Sequence, residues 1–157
     1  MMKFLAAAAL AATVIAAPAQ AADIDTVKAF YSDLLSNPAK TTEKQFYEVI
    51  SPDVVSIPTP PGGAGAKGML NTIEFLGKVV PDLTWKPQEI IDIGGGRFVV
   101  RSLFHGTPVG PFFSVEKPTG KGFDAMSIDI VKVKDGRIVH TYHLEDWTGA
   151  IAQLNAK

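Results

Sequence analysis

The chain has 157 residues, of which 46% are apolar, 20% are charged and none is cysteine, with a formal net charge of −1. That length suits one domain, and the near-zero charge excludes the broad basic surface that nucleic-acid binding requires. The 9% aromatic content excludes a disordered chain, and the lack of cysteine excludes disulfides, thiolate nucleophiles and cysteine-ligated metals.

The first 21 residues have the composition of a secretory signal peptide. They contain 17 apolar residues and one charge, Lys3, and they end in Ala19-Gln20-Ala21. A basic start, an apolar run too short to cross a bilayer and a small-x-small end together predict cleavage after Ala21. We therefore expect residues 1–21 to be removed and residues 22–157 to form one domain, secreted or periplasmic, without a stable membrane anchor after processing.

Three helices are predicted in the first half of the remaining chain. Apolar residues recur every three or four positions from Asp23 to Ser36. Thr42 and Gln45 have the spacing of a capping box, which predicts a second helix that ends before Ser51-Pro52. A short strand should cover 54–57, a loop rich in Pro and Gly 58–68, and a third helix about 67–80.

From residue 83 onward the pattern changes to strands. Segments 83–93, 97–105, 121–134 and 137–146 are rich in β-branched and aromatic residues. Gly94-Gly95-Gly96 separates the first two, and Asp135-Gly136 predicts a type I′ hairpin turn between the last two. The predicted fold class is α+β, a curved antiparallel β-sheet covered by about three N-terminal helices.

A regular two-residue turn at Asp135-Gly136 predicts which side chains share each face of the last hairpin. The inner face would carry Ala125, Ser127, Asp129, Val131, Val133, Ile138, His140, Tyr142, Leu144 and Asp146. The outer face would carry Met126, Ile128, Ile130, Lys132, Lys134, Arg137, Val139, Thr141, His143 and Glu145.

The predicted inner face combines carboxylates with apolar neighbours. An unpartnered buried carboxylate is costly or has a raised pKa, and such groups often serve a ligand or a reaction. Asp129, His140, Tyr142 and Asp146 are therefore the candidate site residues. Two structural alternatives remain open: Asp129 and His140 satisfy each other and Tyr142, or Asp146 caps a helix that begins at Trp147.

Other polar residues give weaker signals. His105 ends a strand and either donates to a ligand or lies at the rim, and Arg101 on the same side either neutralises an inward carboxylate or contacts a ligand. His143 and Glu145 are expected to be solvated or at an interface. The three histidines lack close metal-ligand spacing, so no metal site is predicted.

Several segments of the chain resemble the SnoaL-like polyketide cyclase (ester cyclase) family, in the nuclear transport factor two-like superfamily. The resemblance runs from the Val27 helix to Leu154 and is carried by the segments Pro81-Asp82-Leu83-Thr84-Trp85, Val99-Val100-Arg101 with Gly106-Thr107, Pro118-Thr119-Gly120-Lys121, 129–139 and 146–154.

The resemblance implies a cone-shaped fold and aldol-type acid/base chemistry without metal or organic cofactor. By position it assigns the acid/base role to Asp146. Among the residues already considered, Tyr142, His140 and His105 are the alternative donors to the enolate oxygen. We assign Asp146, His140 and Tyr142 as catalytic candidates. The substrate-binding candidates are Asp129, Arg101, His105 and Trp85.

The leading hypothesis is an exported, cofactor-independent cyclase, isomerase or dehydratase that acts on a small hydrophobic carbonyl compound. The alternative is a non-catalytic periplasmic module that binds a small hydrophobic ligand in the same fold. No nucleic-acid partner is expected. Ile128, Ile130 and Val139 on the predicted outer face favour a homodimer.

Overall fold

The structure, a computed structural model, describes the backbone of residues 17–157 and the side chains from Ala22 onward. Most of the predicted signal peptide therefore lies outside the described residues. The elements in chain order are α1 (Ala17–Ala29), a π-helix (Phe30–Leu35), a 3₁₀ turn (Pro38–Lys40), α2 (Glu43–Val49), β1 (Ile50–Ile57), α3 (Gly65–Val79), β2 (Thr84–Gly94), β3 (Arg97–Gly106), β4 (Phe123–Lys134), β5 (Arg137–Glu145) and α4 (Trp147–Asn155). The predicted α+β class is confirmed.

The five strands form one curled, unclosed sheet with the order β1-β5-β4-β3-β2. Strands β2 to β5 make an antiparallel meander, and β1 pairs in parallel with β5. Short turns at Gly94-Gly95-Gly96 and Asp135-Gly136 connect β2 to β3 and β4 to β5, whereas the longer segment 107–122 connects β3 to β4. Strand β1, which lies between α2 and α3 in the chain, forms the edge of the sheet next to β5.

The core lies between the helices and the concave face of the sheet. Strand β4 shows the strict alternation of buried and exposed residues that a half-buried strand requires. Its inward apolar side chains belong to one core cluster with helical residues such as Val27, Leu70 and Ile73, which are at most 2% exposed. Each such side chain contributes about 1.5–3 kcal/mol by leaving water. This packing holds the helices against the sheet.

Most predicted boundaries agree with the structure to within a few residues. The capping box is present, since Thr42 accepts from the Gln45 backbone and the Gln45 side chain accepts from the Thr42 backbone. Strand β1 begins at Ile50 rather than at Val54, because Ile50 pairs with Ile138 of β5. A fourth helix, α4, follows β5.

The predicted register of the last hairpin is wrong beyond Ile138. Asp135 and Gly136 both have positive φ, as a type I′ turn requires, and Val133 pairs with Ile138 as predicted. A β-bulge then adds Val139, so that Lys132 pairs with His140. One extra residue reverses the faces of a strand, and the rest of β5 therefore presents the opposite side chains to the core.

Among the described residues, no helix is long and apolar enough to cross a membrane.

Candidate functional site

A cavity of about 330 Å³ opens between the helices and the concave face of the sheet. Its wall is mostly apolar and aromatic, with a small polar group on β1, β4 and β5. The lining residues are Phe30, Tyr31, Leu35, Ser56, Pro60, Pro61, Met69, Thr72, Ile73, Phe75, Leu76, Trp85, Phe113, Asp129, Thr141, His143, Glu145 and Trp147. This combination is typical of a site for a small apolar molecule that is oriented by a few polar contacts.

Asp129 is the buried carboxylate of this cavity, with 4% of its surface exposed. Its Oδ2 accepts hydrogen bonds from Tyr31 Oη at 2.8 Å and from Ser127 Oγ at 3.2 Å. Ser127 Oγ in turn accepts from Trp85 Nε1 at 3.3 Å. The other oxygen, Oδ1, is buried and has no hydrogen-bond partner among the described residues. Asp129 therefore has one oxygen engaged by two donors, and its other oxygen has no partner among the described residues.

The pKa of Asp129 is raised from 3.8 to about 7, mainly by burial and also by the negative charge of Glu145. The hydrogen bonds from Tyr31 and Ser127 act in the opposite direction and stabilise the carboxylate. Burial and the neighbouring Asp129 also raise the pKa of the Tyr31 hydroxyl, which therefore keeps its proton. A carboxyl group with a pKa near 7 can both accept and release a proton at neutral pH.

The π-helix that follows α1 positions Tyr31. This six-residue segment, Phe30–Leu35, carries three cavity residues, and Ser36 N donates to Tyr31 O at 3.0 Å, five residues back. The wider turn of a π-helix changes the direction of side chains relative to an α-helix, and such turns are frequent at functional sites. Here it accompanies the contact between Tyr31 and Asp129.

His143 and Glu145 form a second polar group on the cavity wall. His143 Nδ1 lies 2.9 Å from Glu145 Oε1, and Nε2 lies 2.8 Å from the carbonyl oxygen of Pro58. Both partners are acceptors, so satisfying both contacts requires both ring N–H groups and a positive charge. The hydrogen bond with Glu145 accordingly raises the pKa of His143.

A pair of hydroxyl groups completes the polar part of the wall. Ser56 on β1 and Thr141 on β5 are direct neighbours in the parallel pairing, and their hydroxyl oxygens lie 2.9 Å apart. Both residues are buried.

Two of the predicted site residues lie where the sequence placed them. Asp129 and Trp85 both line the cavity. The structural alternative in which Asp129 and His140 satisfy each other is wrong, because Tyr31 and Ser127 donate to Asp129 instead.

The bulge at Val139 removes two predicted catalytic candidates from the cavity. His140 and Tyr142 lie on the outer face, where their rings are 4.6 Å apart and Tyr142 is 49% exposed. His143 and Glu145, expected to be solvated or at an interface, take their place inside. The predicted assignment of faces was wrong for all four residues.

Asp146 is an exposed residue just beyond the end of β5. Its Oδ1 accepts from the backbone N–H of Gly149 at 2.8 Å, which makes it the N-cap of α4. This geometry agrees with the alternative in which Asp146 caps the helix that begins at Trp147. Asp146 is not among the described residues that line the cavity.

Arg101 and His105 lie away from the cavity as well. Arg101 Nε contacts Glu89 Oε2 at 3.1 Å across β2 and β3, so it does not neutralise an inward carboxylate. His105 Nδ1 contacts Asp124 Oδ1 at 3.1 Å near the end of β3. Both contacts are exposed, and exposed ion pairs contribute little to stability.

Six polar cavity residues were absent from the predicted site, namely Tyr31, Ser56, Thr72, Thr141, His143 and Glu145. A shift of one residue in the β5 register would have found three of them. No local pattern pointed to Tyr31, which is one of several apolar and aromatic residues on its helix. In residues 17–157, no group of three or more His, Asp or Glu side chains is arranged to hold a metal ion.

Comparison with known proteins agrees with this fold. The sequence profile of the SnoaL-like polyketide cyclases matches residues 25–154. IdmH from Streptomyces antibioticus is 26% identical with a TM-score of 0.71, over 85% of this chain and 99% of IdmH.

Two further solved structures share the fold at lower identity. TsrD from Streptomyces laurentii is 24% identical with a TM-score of 0.73, over 87% of this chain and 97% of TsrD. A SnoaL-like polyketide cyclase candidate from Jannaschia sp. CCS1 is 18% identical with a TM-score of 0.75, over 92% and 99% of the two chains. No curated protein sequence matches. The profile match spans most of the chain, which therefore belongs to the SnoaL-like polyketide cyclase family.

Proposed function

We propose that this protein is an acid/base catalyst that cyclises, isomerises or dehydrates a small hydrophobic carbonyl compound, with Asp129 as the acid/base. Membership of the SnoaL-like polyketide cyclase family supports a cyclase- or isomerase-type function. The observation that carries the assignment is that Asp129 lines an apolar cavity and that its buried Oδ1 has no hydrogen-bond partner among the described residues. The exposed position of Asp146 at the N-terminus of α4 supports this choice over the predicted one.

The hydrogen bonds of Asp129 determine where its proton resides. Oδ2 already accepts two hydrogen bonds, so a proton added to the carboxylate resides on Oδ1. In the reaction, Oδ1 takes a proton from the carbon next to the substrate carbonyl, and the C–H electron pair forms the enolate. The same oxygen then returns the proton to carbon or oxygen. These steps use only side chains of the protein, and we propose that they need no cofactor.

The charges on the cavity wall favour an uncharged substrate. Asp129 and Glu145 are acidic, His143 is paired with Glu145, and no lysine or arginine is among the described residues that line the cavity. A negatively charged group would therefore enter beside carboxylates without a cationic partner. The aromatic wall, which includes Trp85 and Phe113, suits a flat apolar molecule.

Hydrogen exchange of a simple ketone tests the proposal without knowledge of the natural substrate. The probe is 1-tetralone, an aryl ketone with exchangeable hydrogens next to its carbonyl, followed by proton NMR in D₂O. The wild type should accelerate exchange. Asp129→Asn should lower the enzymatic rate by about 10²–10⁴-fold, the usual contribution of general acid/base catalysis.

Asp53→Asn, an exposed aspartate on β1, is the matched control and should leave exchange unchanged. Equal exchange by the wild type and Asp129→Asn would overturn the assignment. Tetralone binding without any exchange would instead support the alternative, a module that binds a small hydrophobic ligand.

We also propose that the protein is exported and that a signal peptide covers residues 1–21. The support is the apolar, alanine-rich sequence of this segment and its Ala19-Gln20-Ala21 end. Expression of the full chain in a Gram-negative host, followed by intact mass spectrometry of the periplasmic fraction, should show residues 22–157. Full-length protein confined to the cytoplasm would contradict the proposal.

A further inference from the structure

We propose that the hydroxyl pair of Ser56 and Thr141 donates a hydrogen bond to the carbonyl oxygen of the substrate and holds the enolate oxygen that forms there. The inference rests on the proposed function and names a second group that contacts the reacting atoms.

Hydrogen counting at this pair leaves one donor without a partner. Each hydroxyl carries one hydrogen and two acceptor sites. The two oxygens are 2.9 Å apart, so one hydrogen joins them and the other remains. Neither hydroxyl has a further hydrogen-bond partner among the described residues. Whichever residue donates within the pair, its neighbour keeps a free O–H.

The unpaired hydroxyl hydrogen belongs to a buried pair in the wall of a mostly apolar cavity. Thr141 is 4% exposed and Ser56 9%, and both line the same cavity as Asp129. A buried hydroxyl hydrogen without an acceptor is unfavourable, and a carbonyl oxygen of a ligand would satisfy it. The first hydroxyl also polarises the second when it donates to it, which strengthens the outgoing hydrogen bond.

The sheet places this donor at a suitable distance from the acid/base. Asp129 pairs with His143, and Thr141 pairs with Val131, so Asp129 and Thr141 are diagonal neighbours on the inner face. Such neighbours are about 7–8 Å apart along the sheet. A carbonyl oxygen at the hydroxyl pair can therefore belong to the same small molecule whose neighbouring carbon meets Asp129 Oδ1.

In the resulting step, Asp129 Oδ1 takes the proton and the C–H electron pair becomes the C–C double bond of the enolate. The carbonyl π pair moves onto oxygen, where the free hydroxyl hydrogen stabilises the new charge. The other acidic groups on this wall, Glu145 and Tyr31, cannot replace that donor, because Glu145 accepts from His143 and Tyr31 donates to Asp129.

The variants Ser56→Ala, Thr141→Val and their combination test the proposal, with 1-tetralone exchange as the measurement. Each single variant leaves one hydroxyl in the cavity, and its hydrogen is then free to donate. We therefore expect less than about tenfold loss in each single variant and about 10²–10³-fold loss in the double variant, the range known for a removed oxyanion donor. Thr141→Ser should keep the wild-type rate.

A purely structural pair gives the opposite pattern. Either single variant already breaks the mutual hydrogen bond, so the loss of stability would be complete in the singles and no greater in the double. Ser102→Ala is the matched control, since Ser102 is a fully buried serine whose hydroxyl has no hydrogen-bond partner among the described residues and which does not line the cavity. It should leave exchange unchanged. A loss of exchange that is already complete in the single variants and parallels their loss of stability would overturn the proposal.

The infrared carbonyl band of bound 1-tetralone separates this inference from the role of Asp129. In the wild type and in Asp129→Asn the band should lie below its position in hexane, and in the double variant it should move toward the hexane position. If the wild type shifts the carbonyl band but does not accelerate hydrogen exchange, the hydroxyl pair remains the proposed donor and the acid/base role of Asp129 is rejected. A carbonyl band at the hexane position in the wild type would overturn the proposed donor. The absence of any band from bound 1-tetralone at a saturating concentration would overturn it as well.

Discussion

Asp129 on β4 lies directly opposite His143 on β5, on the inner face of the sheet. The pairing brings a carboxyl group with one free oxygen next to an imidazole whose two nitrogens are both engaged. The positive charge of His143 lowers the pKa of Asp129 slightly against the larger effect of burial. His143 also joins β5 to the loop after β1, whose Pro60 and Pro61 line the cavity.

Tyr31→Phe should shift the pH dependence of ketone exchange toward higher pH. The Tyr31 hydroxyl stabilises the Asp129 carboxylate, so its removal raises the pKa of Asp129 above about 7. The free energy of a hydrogen bond to a charged group corresponds to an upward shift of about one unit in the pKa of Asp129 and in the midpoint of exchange. Exchange rates from pH 5 to 9 measure the midpoint, with Tyr47→Phe as the control. An unchanged midpoint would show that Tyr31 does not tune Asp129.

Asp129 should make the folded chain less stable as pH rises between about 4 and 7. Its folded pKa of about 7 exceeds its usual 3.8, so the folded chain binds more protons than the unfolded chain in that window. The loss amounts to up to about 4 kcal/mol, and Asp129→Asn should abolish it. Urea unfolding at several pH values measures the effect. If the free energy of unfolding of Asp129→Asn still falls with pH in this window, another group causes the pH dependence.

The stabilisation that His143 provides should be lost at higher pH. Its folded pKa lies above 6.5, so its contribution is complete below pH 6.5 and disappears as pH rises through the folded pKa. His143→Gln should therefore destabilise the protein at pH 6 more than at pH 9. The same unfolding series reports the difference, with exposed His105→Gln as the control. Equal destabilisation at both pH values would contradict a charged His143.

Variants of Asp146 distinguish a helix cap from an acid/base. Asn caps helices about as well as Asp, whereas Ala costs about 1 kcal/mol. Asp146→Asn should therefore leave both stability and ketone exchange nearly unchanged, and Asp146→Ala should lower only stability. Thermal unfolding and the exchange rate measure the two effects. A large loss of exchange in Asp146→Asn would restore the acid/base role that the family resemblance implies.

The outer face of the sheet should form a homodimer interface. Its large apolar side chains are 38–74% exposed, and they are Leu103, Met126, Ile128, Ile130, Tyr142 and Leu144. Arg101 beside them is paired with Glu89, so this apolar surface suits a second copy of itself better than a charged partner. Light scattering should give twice the mass of one chain.

The double variant Ile128→Asp with Leu144→Asp should reduce that mass to one chain, because burying a carboxylate in such a contact is costly. Val109→Asp changes an exposed apolar residue outside the strands and should leave the mass unchanged. A monomeric wild type at high micromolar concentration would contradict the prediction.

Local sequence signals determined the elements of this protein and their order. The capping box at Thr42 and Gln45 acts within one turn of helix, and Asp135-Gly136 specifies a turn within four residues. The segments that form β2 to β5 are rich in β-branched and aromatic residues, and the glycine turns after β2 and β4 favour antiparallel pairing of their flanking strands. These features predicted the α+β class and an inward-facing Asp129, and the family resemblance contributed Trp85; both residues line the cavity.

Only the tertiary structure decided which face of β5 enters the cavity. Both faces of that strand carry a mixture of polar and apolar residues, so its pattern does not select one. The bulge at Val139 selects Thr141, His143 and Glu145, and their partners Ser56, Pro58 and Asp129 come from β1, the loop after it and β4. Those contacts join residues far apart in sequence, and their free energy depends on packing that no local pattern records. The same holds for Tyr31, which meets Asp129 from 98 positions away.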